Sequence, residues 1–258
     1  VVEAVSGLEI TIRDPLCTFR TFHQRFRAAQ SPLKATRILG ESLMRQVHHF
    51  INGQHVAGTG ARKGDIYNPN TGQVQAQVDF ADDAILQQAI DAAAAAQPAW
   101  AATNPQRRAR VMFKLKHLIE ENADELAHLL SSEHGKVVAD SHGDIQRGLE
   151  VVEFACGVPH LSKGEYTNAA GPGIDVYSMR QALGVTAGIT PFNFPAMIPM
   201  WMFSMSIAMG NTFILKPSEK DPSLPVRLAE LFMEAGGPAG VPNVVHGAQP
   251  AVDGKLGA

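Results

Sequence analysis

The sequence contains only two cysteines, Cys17 and Cys156, in 258 residues. That is too few for a disulfide framework or a cysteine-based zinc site, and it fits a reducing compartment, the cytoplasm first and the mitochondrial matrix as the alternative. Neither sign of charge dominates. Lys+Arg 22 against Asp+Glu 25 gives a formal net charge of -3, which supplies no electrostatic reason to seek nucleic acid or an anionic membrane. Among ten histidines there is no His-Glu-x-x-His. His48 and His49 are adjacent and would point to opposite faces of a strand, so they read as exposed loop histidines and no metal site is expected. An uninterrupted apolar run is also missing. Gln181 to Leu215 carries no charge, but Gly184, Gly188, Pro191, Pro195, Pro199 and Gly210 divide it and Asn193, Ser204, Ser206 and Asn211 place polar groups inside. A membrane span needs about 20 consecutive apolar residues. The segment reads instead as strand, loop, helix and strand, all buried in an α/β domain.

With 45% hydrophobic and 18% charged residues, the composition is that of an ordinary globular protein, and a chain of this size buries roughly 75% of its unfolded surface. Residues 1–43 stand apart. From Arg13 to Arg45 there are six Arg and one Lys against Asp14 and Glu41, with no apolar period. This is the composition of a disordered leader or, more weakly, of a mitochondrial transit peptide. Met44 is the expected natural start.

Residues 44–183 are expected to form a helical region with antiparallel strands. Phe50 to Val56 has Asn52-Gly53 at its centre, a hairpin signal. Asn68 to Gly72 marks a second turn before the alternating Val74, Ala76 and Val78. Four helices follow: one capped by Asp82 or Asp83 and running through Ala92 to Ala96; one capped by Thr103 or Asn104 with Pro105 first and a stripe of Val111, Leu115, Leu118 and Ile119; one from Asn122 to Ser132 stopped near Gly135; and one from Asp144 to Cys156. Gly164 to Leu183 breaks the helical period, with Asp175 to Met179 extended.

From 184 onward the pattern is βαβαβ. Val185 to Ile189 reads as a buried strand, Pro195 to Met209 as a helix, Thr212 to Leu215 as a strand, Ser223 to Ala235 as a helix, and Val244-Val245 as the start of a third strand. This is the order of a dinucleotide-binding domain, although no Gly-x-Gly-x-x-Gly follows the first strand. The five methionines from Met197 to Met209 read as helix packing.

Thr190-Pro191-Phe192-Asn193-Phe194-Pro195 lies where the first parallel strand ends, the place where such sheets bind ligands. The prolines stiffen the loop from both sides, so the Asn193 amide can offer N–H donors at a fixed point, as oxyanion stabilisation requires. An Asn that closes a turn or caps the helix gives the same pattern. At the end of the next strand, Lys216 and Glu219 suit the hydroxyls of a ribose, or a solvated loop pair. Cys156 falls on the apolar face of a helix and reads as structural.

Three blocks, Gly188-Ile189-Thr190-Pro191-Phe192-Asn193-Phe194-Pro195, Gly210 to Glu219, and Gly240-Val241-Pro242-Asn243-Val244-Val245, resemble the aldehyde dehydrogenase superfamily. Gly143 to Cys156 and Ser178-Met179-Arg180-Gln181 resemble its CoA-acylating methylmalonate-semialdehyde (malonate-semialdehyde) branch. The resemblance covers about Val47 to Gly247. It implies an α/β fold with N-terminal helices, antiparallel oligomerisation strands and a truncated Rossmann-like domain over 184–258. It also implies a cysteine nucleophile, a thiohemiacetal, hydride passed to NAD, and a thioester taken by coenzyme A, giving propionyl-CoA or acetyl-CoA. On this mapping Asn193 is the oxyanion donor, Lys216 and Glu219 hold the adenosine ribose, Thr190, Pro191 and Phe192 line the cofactor crevice, and Arg147 pairs with the substrate carboxylate. The family's nucleophilic cysteine and its Gly-Ser phosphate motif lie further along than residue 258, so the resemblance implies an inactive N-terminal fragment of an enzyme that forms a dimer or tetramer. The competing expectation is a noncatalytic nucleotide-binding or oligomerisation module.

Overall fold

The computed structural model describes residues 44–59 and 62–248. The leader with Cys17, and the tail beyond residue 248, lie outside the described residues. Ten strands and seven helices occur among the described residues. β1 (Arg45–Val47), β4 (Lys63–Asn68) and β5 (Gln73–Asp79) form a small sheet in the order β1-β5-β4. The main sheet has the order β3-β2-β10-β9-β8, built from β2 (His49–Ile51), β3 (Gln54–Val56), β8 (Val185–Ile189), β9 (Thr212–Lys216) and β10 (Pro242–Val244). β8, β9 and β10 run parallel, and β2 adds to them antiparallel. The region expected to be purely antiparallel therefore divides: β1 pairs parallel with β5, and the β2–β3 hairpin extends the parallel sheet. Its turn is the expected one, with Asn52 and Gly53 both at positive φ (52° and 76°).

Local chemistry explains the helix starts. α1 (Asp83–Ala102) begins where the Asp82 side chain accepts from Ile85 N, and α2 (Pro105–Glu121) where Asn104 accepts from Arg107 N with Pro105 first. The apolar stripe of α2 is Ala109, Met112, Leu115 and Ile119, rather than one through Val111 and Leu118, which are only half-buried. α3 (Ala123–His134) stops at Gly135. α4 (Val138–Ala155) starts six residues before the expected Asp144. Asp144 is thus an interior helix residue, buried on the same face as Ile145, Leu149 and Val152. A short α5 (Val158–Leu161) precedes β6 (Tyr166–Gly171) and β7 (Ile174–Tyr177), a hairpin exposed along almost its whole length. α6 (Met197–Ala208) and α7 (Ser223–Glu234) cross between the parallel strands.

Two expectations about burial fail. Among the described residues β8 is the edge strand of the main sheet, and Val185 and Ile189, on one of its faces, are 39% and 42% exposed. His49 is fully buried in β2 and stacks on His246 at 5.5 Å; only His48 remains half-exposed, paired with Asp79 at 2.6 Å.

α6 is held at both ends by distant residues. At its start no local side chain caps it, and Asp144 Oδ1 accepts from Met197 N at 2.7 Å. At its end Trp100 Nε1 donates to Ile207 O and the buried Arg108 guanidinium donates to Ala208 O. An acid at the N-terminus and a cation at the C-terminus also complement the helix dipole. Among the described residues no helix is long and apolar enough to cross a membrane.

Candidate functional site

The C-terminal ends of β8 and β9 lie side by side. Ile189 is in register with Lys216, and the pairing continues one residue further, with Thr190 N donating to Lys216 O at 3.1 Å. The chain leaves β8 through Thr190, which is buried with its Oγ1 unsatisfied, and enters the exposed stretch Pro191-Phe192-Asn193-Phe194 before diving back at Pro195. The Asn193 side chain therefore stands at the surface of the loop and not in the packed interior. At the end of the neighbouring strand the Lys216 side chain is buried, 8% exposed, and among the described residues Glu219 is its only ion-pair partner, at 3.7 Å. A buried ammonium with so long a contact keeps donors for further acceptors. Thr190, Pro191, Phe192 and Asn193 thus share one loop, and Lys216 and Glu219 share the next.

Arg147 arrives from a different element. It is exposed on α4, one helical turn beyond Asp144, and its guanidinium has no hydrogen bond or ion pair among the described residues. Its carbonyl accepts from Trp201 Nε1 at 3.3 Å, which fixes this turn of α4 against the second turn of α6.

The loop is gripped by residues that the sequence reading did not single out. Lys136 Nζ donates to Asn193 O at 3.1 Å, pairs with Asp144 Oδ2 at 2.8 Å, and lies 4.7 Å from the Phe194 ring centroid. On the other side, the Phe192 ring stacks on His134 at 6.1 Å and carries Lys220 Nζ 4.6 Å above it. Burial, with the Lys136 charge beside it, lowers the His134 pKa against the opposing influence of Asp144 and the Asn193 backbone. One signal for this arrangement existed in the sequence: an Asp on the apolar stripe of α4 demands a buried partner.

A cavity of about 420 Å³ adjoins the loop, walled by Phe192, His134, Glu133, Glu219, Lys220 and Asp221 among others. Asp221 is buried, and burial reinforced by the Glu133 carboxylate pushes its pKa up to about 8 against the opposing influence of Ser218. Cys156 is 5% exposed and donates to Val152 O; burial pushes its thiol up to about 11. A thiol so held is protonated at neutral pH and a poor nucleophile.

A family profile described as the aldehyde dehydrogenase family matches residues 55–257. The chain belongs to this family. Malonate-semialdehyde dehydrogenase of Pseudomonas aeruginosa is 54% identical over 213 residues, covering 83% of this chain and 43% of the relative. The acylating, mitochondrial methylmalonate-semialdehyde dehydrogenase of Arabidopsis thaliana is 50% identical over 208 residues, 81% of this chain and 34% of the relative. Among solved structures, a Sinorhizobium meliloti protein assigned as a methylmalonate-semialdehyde dehydrogenase and complexed with NAD superimposes with a TM-score of 0.81 at 62% identity, over 83% of this chain and 43% of its own. The aldehyde dehydrogenase fold expected from the sequence is thereby established, and the chain spans less than half the length of these relatives.

Proposed function

We propose that this chain is the cofactor-binding portion of an NAD-dependent, CoA-acylating malonate- or methylmalonate-semialdehyde dehydrogenase. The observation that carries the reading is the juxtaposition at the ends of β8 and β9: an exposed amide on a stiff loop, an orphaned buried Thr190 hydroxyl, and a buried, loosely paired Lys216. These groups fit a dinucleotide. Lys216 donates to the ribose hydroxyls and Glu219 accepts from them, while Thr190, Pro191 and Phe192 wall the crevice. Glu219 opposes a 2′-phosphate and so favours NAD over NADP. When bound, NAD supplies the hydride acceptor.

Asn193 directs its amide N–H groups at the aldehyde oxygen, where charge accumulates on attack; such a donor is typically worth about 10²–10³ in rate. The unengaged Arg147 guanidinium offers two parallel N–H groups to the substrate carboxylate. The nucleophile comes from outside these residues, since Cys156 is buried and protonated. Coenzyme A takes the acyl group and the substrate carboxylate leaves as CO2 in each case, giving acetyl-CoA from malonate semialdehyde and propionyl-CoA from methylmalonate semialdehyde. The exposed β6–β7 hairpin favours a homo-oligomer and a second reading, a noncatalytic nucleotide-binding or oligomerisation module.

Calorimetric titration with NAD and NADP tests the proposal. NAD is expected to bind more tightly than NADP, and Lys216→Ala to weaken NAD at least tenfold; absence of NAD binding, or binding indifferent to Lys216→Ala, overturns it. Malonate semialdehyde and coenzyme A added to this chain with NAD are expected to give no sustained NADH. Sustained turnover abolished by Cys156→Ala would overturn the structural role given to that thiol.

A further inference from the structure

We infer that Lys136, through its buried pair with Asp144, is the positioning residue that sets the Asn193 amide. The inference rests on the role proposed above for Asn193, but its geometry is independent of that role. The Lys136 and Asp144 side chains are 11% and 0% exposed. A buried ion pair contributes little net stability after desolvation unless its remaining donors and acceptors are used, and here they are used on one target. Lys136 spends one donor on Asp144 and a second on the carbonyl of Asn193 itself, and it faces the ring of Phe194, the next residue. Asp144 gives its second oxygen to Met197 N, four residues on. The pair therefore spans the stretch from Asn193 to Met197, with the Asn193 carbonyl held at one end and the first N–H of α6 at the other. The prolines at 191 and 195 limit the backbone conformations of this stretch, but they anchor it to nothing. Lys136 and Asp144 anchor the Asn193 end of the loop, from the α3–α4 turn and from α4, while His134 and Lys220 hold the ring of Phe192.

The test uses the whole chain labelled with ¹⁵N-asparagine, the Asn193 signals being assigned by their loss in Asn193→Asp. In the parent chain the Asn193 backbone order parameter is expected near 0.85, and in Lys136→Met below about 0.6, the values of rigid and flexible backbone. The signals of Asn52 and Asn243, joined by their own 3.0 Å hydrogen bond, should stay put. Lys136→Arg, which keeps charge and multiple donors, should restore Asn193; a general packing role would not distinguish Met from Arg in this way. Unchanged Asn193 order in Lys136→Met, or no recovery with Arg, overturns the inference. Should Lys136→Met also lose the Asn52 and Asn243 signals, Asp144→Asn is judged by the same criterion. NAD titration of the same samples separates the two claims. A parent chain that fails to bind NAD sinks the proposed function while the Asn193 signals still decide Lys136. Intact NAD binding with unmoved Asn193 signals sinks only the positioning role.

Discussion

The His49 and His246 rings lie stacked where β2 meets the end of β10, with His246 N donating to His49 Nδ1 at 3.0 Å. Burial lowers His49 to about 4, against the pull of Asp79; burial, with the neighbouring His49, lowers His246 to about 3. A histidine whose folded pKa lies below its unfolded value binds protons more readily when unfolded, so stability falls as pH drops below about 6.5 and continues to fall toward 4. Between pH 6.5 and 5 the expected loss is on the order of 3 kcal/mol across the stacked pair. Urea unfolding at a series of pH values measures it, and His49→Gln should flatten the slope. A slope unchanged by that substitution would place the acid sensitivity elsewhere. Nothing at the residue scale announced this pair. Adjacent histidines would point to opposite faces of a strand and read as surface residues, and the partner of His49 lies 197 positions away.

At the scale of elements, α4 and α6 run side by side with almost no space between them. A Cβ on Gly148 would sit 2.2 Å from Met200 Cε, and also 3.1 Å from both Met200 Cβ and the Met197 Cα. The methionine tip can swing away, but the Met197 backbone cannot without moving the start of α6. Gly148→Ala gains roughly 1 kcal/mol of helix propensity and is nonetheless expected to destabilise by about 1–2 kcal/mol net through overpacking, read as a lowered denaturation midpoint. The starts and stops of elements were legible wherever one residue does the work, as at Asp82, Asn104-Pro105, Asn52-Gly53 and Gly135. The site loop was legible for the same reason, because its prolines and its position after a parallel strand are local facts. Its anchors were not. Lys136 and Asn193 are 57 positions apart, and Asp144 passed for a helix start because an N-terminal Asp and a buried Asp look alike until the helix boundary is known.

At the scale of the whole molecule, the main sheet ends in β8, whose outer edge has no partner strand among the described residues and carries partly exposed Val185 and Ile189 beside the 91% exposed Leu183. Its apolar sequence correctly indicated a strand, but burial is set by strand order, which no local pattern encodes. An exposed apolar edge is a template for further pairing. Sedimentation velocity is expected to show self-association that rises with concentration and is reduced by Val185→Lys; a concentration-independent monomer would contradict this. The tethering of α6 bears on any attempt to reuse the amide. Because Met197, Ile207 and Ala208 are each secured by a side chain from α4, α1 or α2, residues 190–195 transplanted alone into a foreign scaffold would carry the chemistry but lose its aim. A workable graft has to bring an acid and a base from two other helices along with it.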